Sequence, residues 1–170
     1  QHGDTDAFGE VYDAFFEKLY RFIYLKVPTS QDAEDLTAET FLKAWHYMRD
    51  KKIANLQAFL YQVSRNVVVD FYRKRGSAIF ESLDDIDDSI MIANRVDLTL
   101  EEKMILKGDM ARIESALRKL KDSYREVLVL HYLNELSIGE VGKIIEKSGG
   151  ATRVLLHRAL KALKEVLKGE

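Results

Sequence analysis

The stretch SIGEVGKIIEKSGGATRVLLHRALKALKEVL, residues 137–167, decides the fold of this chain. Ser137 and Glu140 have the spacing of a capping box, and apolar residues then recur at helical spacing. Ser148-Gly149-Gly150 predicts a break, after which residues 151–167 predict a second helix with basic side chains. Two helices joined by a short turn, the second of them basic, are typical of a helix-turn-helix that places one helix in the major groove of DNA.

Composition narrows the class of protein further. Of the 170 residues, 46% are hydrophobic and 32% are charged, and a single proline favours long helices over a turn-rich β protein. There is no cysteine, and no pair with metal-ligand spacing is formed by the four histidines, His2, His46, His131 and His157. The sequence also lacks a nucleophile–base set and a phosphate-binding glycine loop. We therefore expect no enzymatic activity, no cofactor and no metal site.

The sequence also bears on where the protein works. No apolar run reaches the ~18–20 residues that span a bilayer, so we expect a cytoplasmic protein that does not insert into a membrane. The chain begins with Gln1 rather than with Met, and the sequence does not tell whether further residues precede it.

Charge alternates in sign along the chain. Residues 51–76 carry 6 Lys or Arg against 1 Asp or Glu, and residues 109–170 carry 12 against 9, whereas residues 1–50 and 77–108 are acidic. Helical periodicity predicts further helices over residues 6–27, 32–49, 56–75, 110–121 and 123–133. The prediction is an all-α chain of two small helical domains, residues 1–76 and 109–170, joined by an acidic linker over residues 77–108.

The predicted last helix presents one basic face. Spacings of 4, 4 and 3 place four side chains on it, Arg153, His157, Lys161 and Lys164, and Arg158 lies beside them. Such a face can bind phosphates, and Thr152 and Arg153 near its N-terminal end are placed to reach base edges. An ordinary solvated amphipathic helix would show the same pattern, but the capping box and turn that precede it favour DNA binding.

The predicted third helix mixes aromatic, amide and basic residues, which can stack on unpaired bases, read their edges and bind phosphates. The apolar positions assigned to the core are Phe59, Leu60, Val63, Val67 and Phe71. The exposed candidates are Tyr61, Gln62, Arg65, Asn66, Arg73, Lys74 and Arg75. Because aromatic residues at helical spacing are usually packing residues, this pattern alone is weak evidence for strand binding.

Three segments, in this order along the chain, resemble the bacterial sigma factors of the sigma-70 family. Residues 32–45, DAEDLTAETFLKAW, are similar to region 2.2, which binds core RNA polymerase. Residues 58–66, AFLYQVSRN, and residues 70–75, DFYRKR, are similar to regions 2.3 and 2.4, and residues 120–167 are similar to region 4. A short chain with domains 2 and 4 only resembles the extracytoplasmic-function, or group 4, sigma factors.

The resemblance implies a transcription initiation factor that binds core RNA polymerase. Domain 4 would recognise the −35 element as duplex DNA, and domain 2 would help to melt the −10 element. Contacts with the clamp helices of the polymerase β′ subunit are implied for Asp32, Asp35, Glu39, Thr40 and Phe41, although Phe41 also lies on the apolar stripe. Domain 4 would also approach the polymerase β flap, and an anti-sigma factor is an implied partner.

The resemblance also implies DNA contacts in both domains. Those to the −10 element are Asn55, Tyr61, Gln62, Arg65, Asn66, Arg73, Lys74 and Arg75. Among them, Asn66 and the loop of residues 50–55 correspond to the site where relatives capture a flipped-out base. Those to the −35 element are Thr152, Arg153, His157, Arg158 and Lys161. Many relatives have three polar residues where this chain has Arg153-Val154-Leu155, so only Arg153 keeps that character here.

Two other functions fit the same residues. A helix-turn-helix regulator that is not a sigma subunit would use residues 1–76 to bind a ligand or to dimerise. It would bind duplex DNA tightly without polymerase. A helical interaction protein with no nucleic-acid role would show no salt-dependent DNA binding, whereas phosphate contacts make affinity fall steeply with salt.

Overall fold

The computed structural model describes residues 2–76 and 110–169, with side chains from residue 5 onward. The described residues are helical and contain no β-strand, which confirms the all-α prediction. The helices are α1 (His2–Tyr24), α2 (Ser30–Asp50), α3 (Leu56–Lys74), α4 (Met110–Lys119), α5 (Asp122–Leu128), α6 (Ile138–Ile145) and α7 (Gly149–Lys168). They form two compact units: α1–α3 are unit 1, and α4–α7 are unit 2. The predicted acidic linker over residues 77–108 lies outside the described residues.

Unit 1 packs its three helices around one apolar core. The most deeply buried side chains come from all three helices and include Leu19, Phe22, Ile23, Ala33, Ala44 and Leu60. α1 ends at Tyr24, short of the predicted residue 27, yet Leu25 and Val27 remain buried. The chain therefore turns over the core before Pro28, where a proline disfavours helical geometry in the residue that precedes it.

Side-chain caps fix where α2 and α3 begin. The Thr29 hydroxyl accepts a hydrogen bond from the Asp32 N–H at 3.1 Å, and Asn55 Oδ1 accepts one from the Ala58 N–H at 3.0 Å. The first N–H groups of a helix have no intrahelical acceptor, and these two side chains supply one. The two caps thus fix the start of α2, which carries Asp32, Asp35 and Glu39, and the start of α3, which carries Arg73 and Lys74 in its last turn.

In unit 2, α7 contacts each of α4, α5 and α6. Side chains from all four helices are nearly or fully buried, among them Ile113, Val127, Ile144 and Leu156. The helix predicted over residues 123–133 is present as α5 followed by a π-helical turn, Val129–Leu133. The wider turn is closed by the Asn134 N–H, which donates to the Val129 carbonyl oxygen at 2.9 Å.

Two arginines close the C-terminal ends of helices in unit 2. Arg125 donates to carbonyl oxygens at the end of α4, at 2.9, 3.1 and 2.8 Å, those of Leu117, Arg118 and Leu120. Arg112 donates to the Leu167 carbonyl oxygen of α7 at 2.7 Å. The last carbonyl groups of a helix lack intrahelical donors, and the two guanidinium groups supply donors there; the Leu117 oxygen also accepts from the Leu120 N–H at 3.1 Å.

The predicted capping box at the start of α6 is confirmed. The Ser137 N–H donates to Glu140 Oε2 at 2.7 Å, and the Glu140 N–H donates to Ser137 Oγ at 3.2 Å. Val141, Ile144 and Ile145 are buried, so one face of this short helix packs into unit 2. The first helix of the helix-turn-helix therefore forms where the sequence places it.

The turn that follows differs from the prediction. Gly149 and Gly150 do not break a helix, because they are the first residues of α7, and Ser148 caps it by accepting from the Ala151 N–H at 3.1 Å. The chain reverses instead at Glu146, whose φ of 58° is left-handed. The entropic cost of glycine, about 1 kcal/mol, is measured in helix interiors, so two glycines in the capped first turn do not prevent α7 from forming.

Candidate nucleic-acid interface

The basic face of α7 is exposed, as the spacing predicts. Arg153, His157 and Lys161 are exposed on three successive turns, Lys164 continues the same face, and Arg158 beside it is half-buried. The opposite face of α7 is buried in unit 2 through Leu155, Leu156, Ala159, Leu160 and Leu163. The cations can therefore approach a DNA backbone while the helix stays packed.

Thr152 does not belong to this exposed face. Its side chain is only 1% exposed, and its hydroxyl donates to the Ser148 carbonyl oxygen at 2.8 Å. The expected base contact by Thr152 is therefore wrong, because the hydroxyl is buried and already hydrogen-bonded. Of the two residues predicted to reach base edges, only Arg153 is exposed.

The apolar pair after Arg153 serves packing. Leu155 is buried and Val154 is half-buried, so their side chains contribute to the core of unit 2. The departure from the three polar residues of many relatives has a structural reason at position 155. Arg153 and His157 remain as the exposed side chains nearest the N-terminal end of α7 that can donate hydrogen bonds.

On α3, Tyr61 belongs to the core of unit 1. Its side chain is 0% exposed, and its ring meets that of Phe22 edge to face with the centroids 5.3 Å apart. Its assignment to an exposed, strand-binding surface is wrong because α1 covers this side of α3. The amide of Asn66 is exposed, whereas Gln62 and Arg65 are half-buried.

The C-terminal end of α3 carries three consecutive basic residues. Arg73, Lys74 and Arg75 are all exposed, in agreement with the prediction. Arg73 lies 3.6 Å from Asp70, and Arg75 lies 3.2 Å from Asp32 of α2. Arg73 therefore pairs within α3, whereas Arg75 is held by a residue of another helix.

A partly exposed aromatic pair beside residues 50–55 was missed by the sequence analysis. Tyr47 is 43% exposed, its ring centroid lies 5.0 Å from that of Phe59, and Lys51 Nζ lies 4.6 Å from the Tyr47 centroid. The sequence did contain a signal for this pair, because an aromatic residue lies on each side of the loop of residues 50–55. Asn55 is exposed here too, but its Oδ1 caps α3, which leaves its amide NH₂ group for other partners.

A groove in unit 1 joins the acidic part of α2 to the C-terminal half of α3. We call it the acidic groove, because four of its lining residues are carboxylates and two are basic. It has a volume of about 310 Å³ and is lined by Asp32, Asp35, Leu36, Glu39, Val67, Asp70, Phe71, Lys74 and Arg75. Lys43 Nζ lies 2.8 Å from Glu39 and 3.7 Å from Asp70, so it links the two helices. The hydrogen bond with Glu39 raises the pKa of Lys43 above its ordinary value. Lys43 therefore bridges the carboxylates of Glu39 and Asp70.

Two residues predicted to bind polymerase do not reach the surface. Thr40 is 0% exposed and donates to the Leu36 carbonyl oxygen at 2.8 Å. Phe41 is 3% exposed, and its ring centroid lies 4.7 Å from that of Tyr12 and 6.2 Å from that of Phe8 on α1. The prediction that these two side chains contact polymerase directly is therefore wrong. Thr40 hydrogen-bonds within its own helix, and Phe41 packs α2 against α1.

Two features are absent from the described residues. Within residues 2–76 and 110–169, no helix has both the length and the apolar composition that crossing a membrane requires. In the same part of the chain, His, Asp and Glu side chains form no cluster that could hold a metal ion.

Comparison with known proteins identifies relatives for both units. The family profile of Sigma-70 region 2 matches residues 11–78, and that of Sigma-70, region 4 matches residues 110–163. The ECF RNA polymerase sigma factor SigM of Bacillus subtilis is 32% identical over 158 residues, which cover 91% of this chain and 91% of SigM. The ECF RNA polymerase sigma factor BldN of Streptomyces coelicolor is 32% identical over 169 residues, or 98% of this chain, and this chain spans 62% of the length of BldN.

A solved structure has a similar fold. It is the sigma factor RpoE in complex with the anti-sigma factor NepR from Bartonella quintana, with a TM-score of 0.70 and 25% identity, covering 95% of this chain and 97% of that chain. The two family profiles fall on the units that carry the acidic groove and the basic face of α7. The chain therefore belongs to the extracytoplasmic-function sigma factors of the sigma-70 family.

Proposed function

We propose that this chain directs bacterial core RNA polymerase to promoters with −35 and −10 elements and assists their melting. Residues 1–76 form the polymerase-binding and −10 domain, residues 109–170 form the −35 domain, and residues 77–108 link them. One observation carries the proposal. This chain, a member of the sigma-70 family, has the acidic groove on unit 1 and an exposed basic face on unit 2. Surfaces of opposite charge suit different partners, here a basic protein surface and DNA phosphates.

Polymerase binding rests on the carboxylates of α2. Asp35 is exposed, Glu39 is half-buried, and both line the groove beside the apolar side chains of Leu36 and Val67. The resemblance implies the β′ clamp helices as the partner of this surface and the β flap as a partner of unit 2. In this proposal Phe41 acts from within, because it holds α2 in place through its packing against α1.

Melting of the −10 element rests on α3 and on residues 50–55. Asn66 is exposed and can read the edge of an unpaired base, and the Tyr47–Phe59 pair offers an aromatic face on which a base can stack. Lys51 Nζ lies over the Tyr47 ring, and in this proposal it binds a phosphate next to the stacked base. Flipping a base out of the duplex costs about a few kcal/mol, so a ready platform for it favours the open strand.

Recognition of the −35 element rests on the exposed face of α7. Arg153 and His157 are the candidates for contacts with base edges in the major groove. Arg158 and Lys161 are the candidates for phosphate contacts, which position the helix without reading sequence. Thr152 supports this helix from the buried side and makes no contact with DNA in this proposal.

An anti-sigma factor is the proposed regulator. The RpoE relative was solved in complex with the anti-sigma factor NepR, and the fold of that chain is similar to this one. A protein that covers the acidic groove of unit 1 would block the proposed polymerase contact and keep the factor inactive. A factor that works with polymerase and promoter DNA would act in the cytoplasm.

Run-off transcription tests the proposal. Bacterial core polymerase is incubated with a pool of promoters, with and without this chain, and open complexes are detected by permanganate reactivity of unpaired thymines. We expect new transcripts and open complexes only when the chain is present, and weak duplex binding by the chain alone. Tight duplex binding without polymerase, together with no promoter opening, would instead indicate the helix-turn-helix regulator.

A further inference from the structure

We propose that Asp32 is a positioning residue for the DNA-binding end of α3 and not a contact for polymerase. The inference rests on the proposed function and assigns different tasks to two carboxylates one turn apart on α2, Asp32 and Asp35. Both line the same groove and both were predicted to face polymerase. Their contacts within unit 1 differ.

Both carboxylate oxygens of Asp32 are engaged inside the protein. Oδ2 accepts a hydrogen bond from the Thr29 hydroxyl at 2.8 Å, and Oδ1 accepts one from Arg75 at 3.2 Å. The Asp32 side chain is only 16% exposed. A basic group from a partner would therefore have to compete with Arg75 for a carboxylate that is largely buried, which lowers the gain from the new contact.

Arg75 is held from two directions. Its guanidinium lies 4.1 Å from the ring centroid of Phe71 and also pairs with Asp32. Arg75 is the C-cap residue of α3, and its N–H donates to the Tyr72 carbonyl oxygen at 3.1 Å. The ion pair thus ties the first turn of α2 to the end of α3.

This tie acts on the segment that carries the proposed phosphate contacts. Arg73 and Lys74 directly precede Arg75 and are exposed. Helix ends fray unless side chains or tertiary contacts hold them, and a frayed end would spread these two cations over many positions. Holding the last turn of α3 in place lowers the ordering cost when its cations bind DNA.

Asp35 has the contacts expected of a group kept for a partner. It is exposed and accepts a hydrogen bond from the Gln31 side chain at 3.0 Å. Within residues 5–76 and 110–169 it forms no ion pair. A cation on polymerase can reach Asp35 without breaking an internal ion pair, so Asp35 is the matched control for Asp32.

The test separates core binding from promoter opening in the full chain. Asp32→Asn keeps the shape and can still accept from Thr29 but removes the charge that holds Arg75. We expect core affinity within about twofold of wild type, and opening by saturated holoenzyme slower by about two- to fivefold, as loss of one partly screened ion pair allows. Asp35→Asn should show the reverse: weaker core binding, and a normal opening rate once core is saturated.

A second variant tests whether Asp32 acts through Arg75. In an Arg75→Gln background, Asp32→Asn should have no further effect on the opening rate, because the two substitutions remove the same interaction. Asp32→Glu, which keeps the charge, should open promoters at a rate closer to wild type than Asp32→Asn does. Thermal unfolding of each variant serves as the folding control.

Three results would overturn the assignment of Asp32. They are a loss of core affinity equal to that of Asp35→Asn, an unchanged opening rate, or an equal further slowing in the Arg75→Gln background. Failure of the wild-type chain to bind core or to open any promoter would overturn the proposed function instead, so the two failures are distinguishable.

Discussion

Gly142 of α6 lies against Thr152 of α7 so closely that a Cβ atom at position 142 would be 3.1 Å from Thr152 Oγ1. The same Cβ would be 2.8 Å from the Lys147 carbonyl oxygen, in the turn between the two helices. Glycine at 142 thus lets the turn approach α6, and the buried Thr152 hydroxyl occupies the neighbouring space. The crossing of the two helices depends on this contact.

We expect Gly142→Ala to destabilise unit 2 by about 1–3 kcal/mol, because the backbone at Lys147 must shift to accommodate the methyl group. The measurement is urea unfolding of the full chain, followed by hydrogen exchange of amides in α6 and α7. Gly139→Ala is the matched control on the same helix, since its Cβ would meet only Ser137 Oγ at 4.0 Å. It should be neutral or stabilising by up to about 1 kcal/mol. Equal destabilisation by both variants would contradict the steric explanation.

The capping box at the start of α6 gives a second stability prediction. Ser137→Ala removes the acceptor for the Glu140 N–H and should cost about 1 kcal/mol, seen as faster amide exchange in the first turn of α6. Glu140→Gln keeps an acceptor for the Ser137 N–H and should cost much less. If Glu140→Gln is as damaging as Ser137→Ala, charge rather than the reciprocal hydrogen bonds stabilises this helix end.

Sequence periodicity predicted the helices well and the side-chain burial of some polar residues poorly. The capping box was predictable because its partners are three residues apart, so local spacing determines the geometry. Thr40 and Thr152 were misassigned because each hydroxyl bonds a carbonyl of its own helix, which removes most of the cost of burying it. Periodicity that counts threonine as polar cannot detect such a bond.

Tyr61 and the Gly149–Gly150 pair show a second limit of sequence-based prediction, which is that contacts with other elements and caps are not visible in local spacing. Tyr61 can face solvent or core on a helix, and its burial depends on Phe22 of another helix, which spacing within α3 does not reveal. Two glycines in sequence indicate a turn, but the cap at Ser148 makes them the start of α7. The left-handed position is taken by Glu146, a residue type that gives no turn signal.

Arg125 provides a third prediction, on the packing of α4. Arg125→Ala should destabilise unit 2 by about 2 kcal/mol, because it removes the guanidinium hydrogen bonds to the Leu117, Arg118 and Leu120 carbonyl oxygens, although the Leu117 oxygen keeps the Leu120 N–H as a donor. Arg125→Lys should recover less than half of the loss, since one ammonium group cannot span several carbonyl oxygens as a guanidinium does. Amide exchange in α4 and in the residues before α5 is the measurement. Full recovery by lysine would show that charge alone is sufficient.

Asn66 provides a prediction about promoter melting. We expect Asn66→Ala to slow open-complex formation by about tenfold, the effect of losing one or two hydrogen bonds to an unpaired base, and to leave core binding intact. The defect should shrink on a template whose −10 element is already mismatched, because that template needs no melting. A defect of the same size on the mismatched template, or a matching loss of core binding, would contradict the role of Asn66.

Arg153 provides the prediction that tests the corrected face of α7. Arg153→Ala should reduce the preference of holoenzyme for a promoter with its −35 element over one with that element scrambled, by about 1–3 kcal/mol. Lys161→Ala should weaken binding to both promoters alike and lower the salt slope by about one, as expected for a phosphate contact. Thr152→Val should lower the stability of unit 2 while leaving the preference unchanged, because its hydroxyl is buried against Ser148. A lost preference in a folded Thr152→Val variant would return that residue to the DNA-reading face.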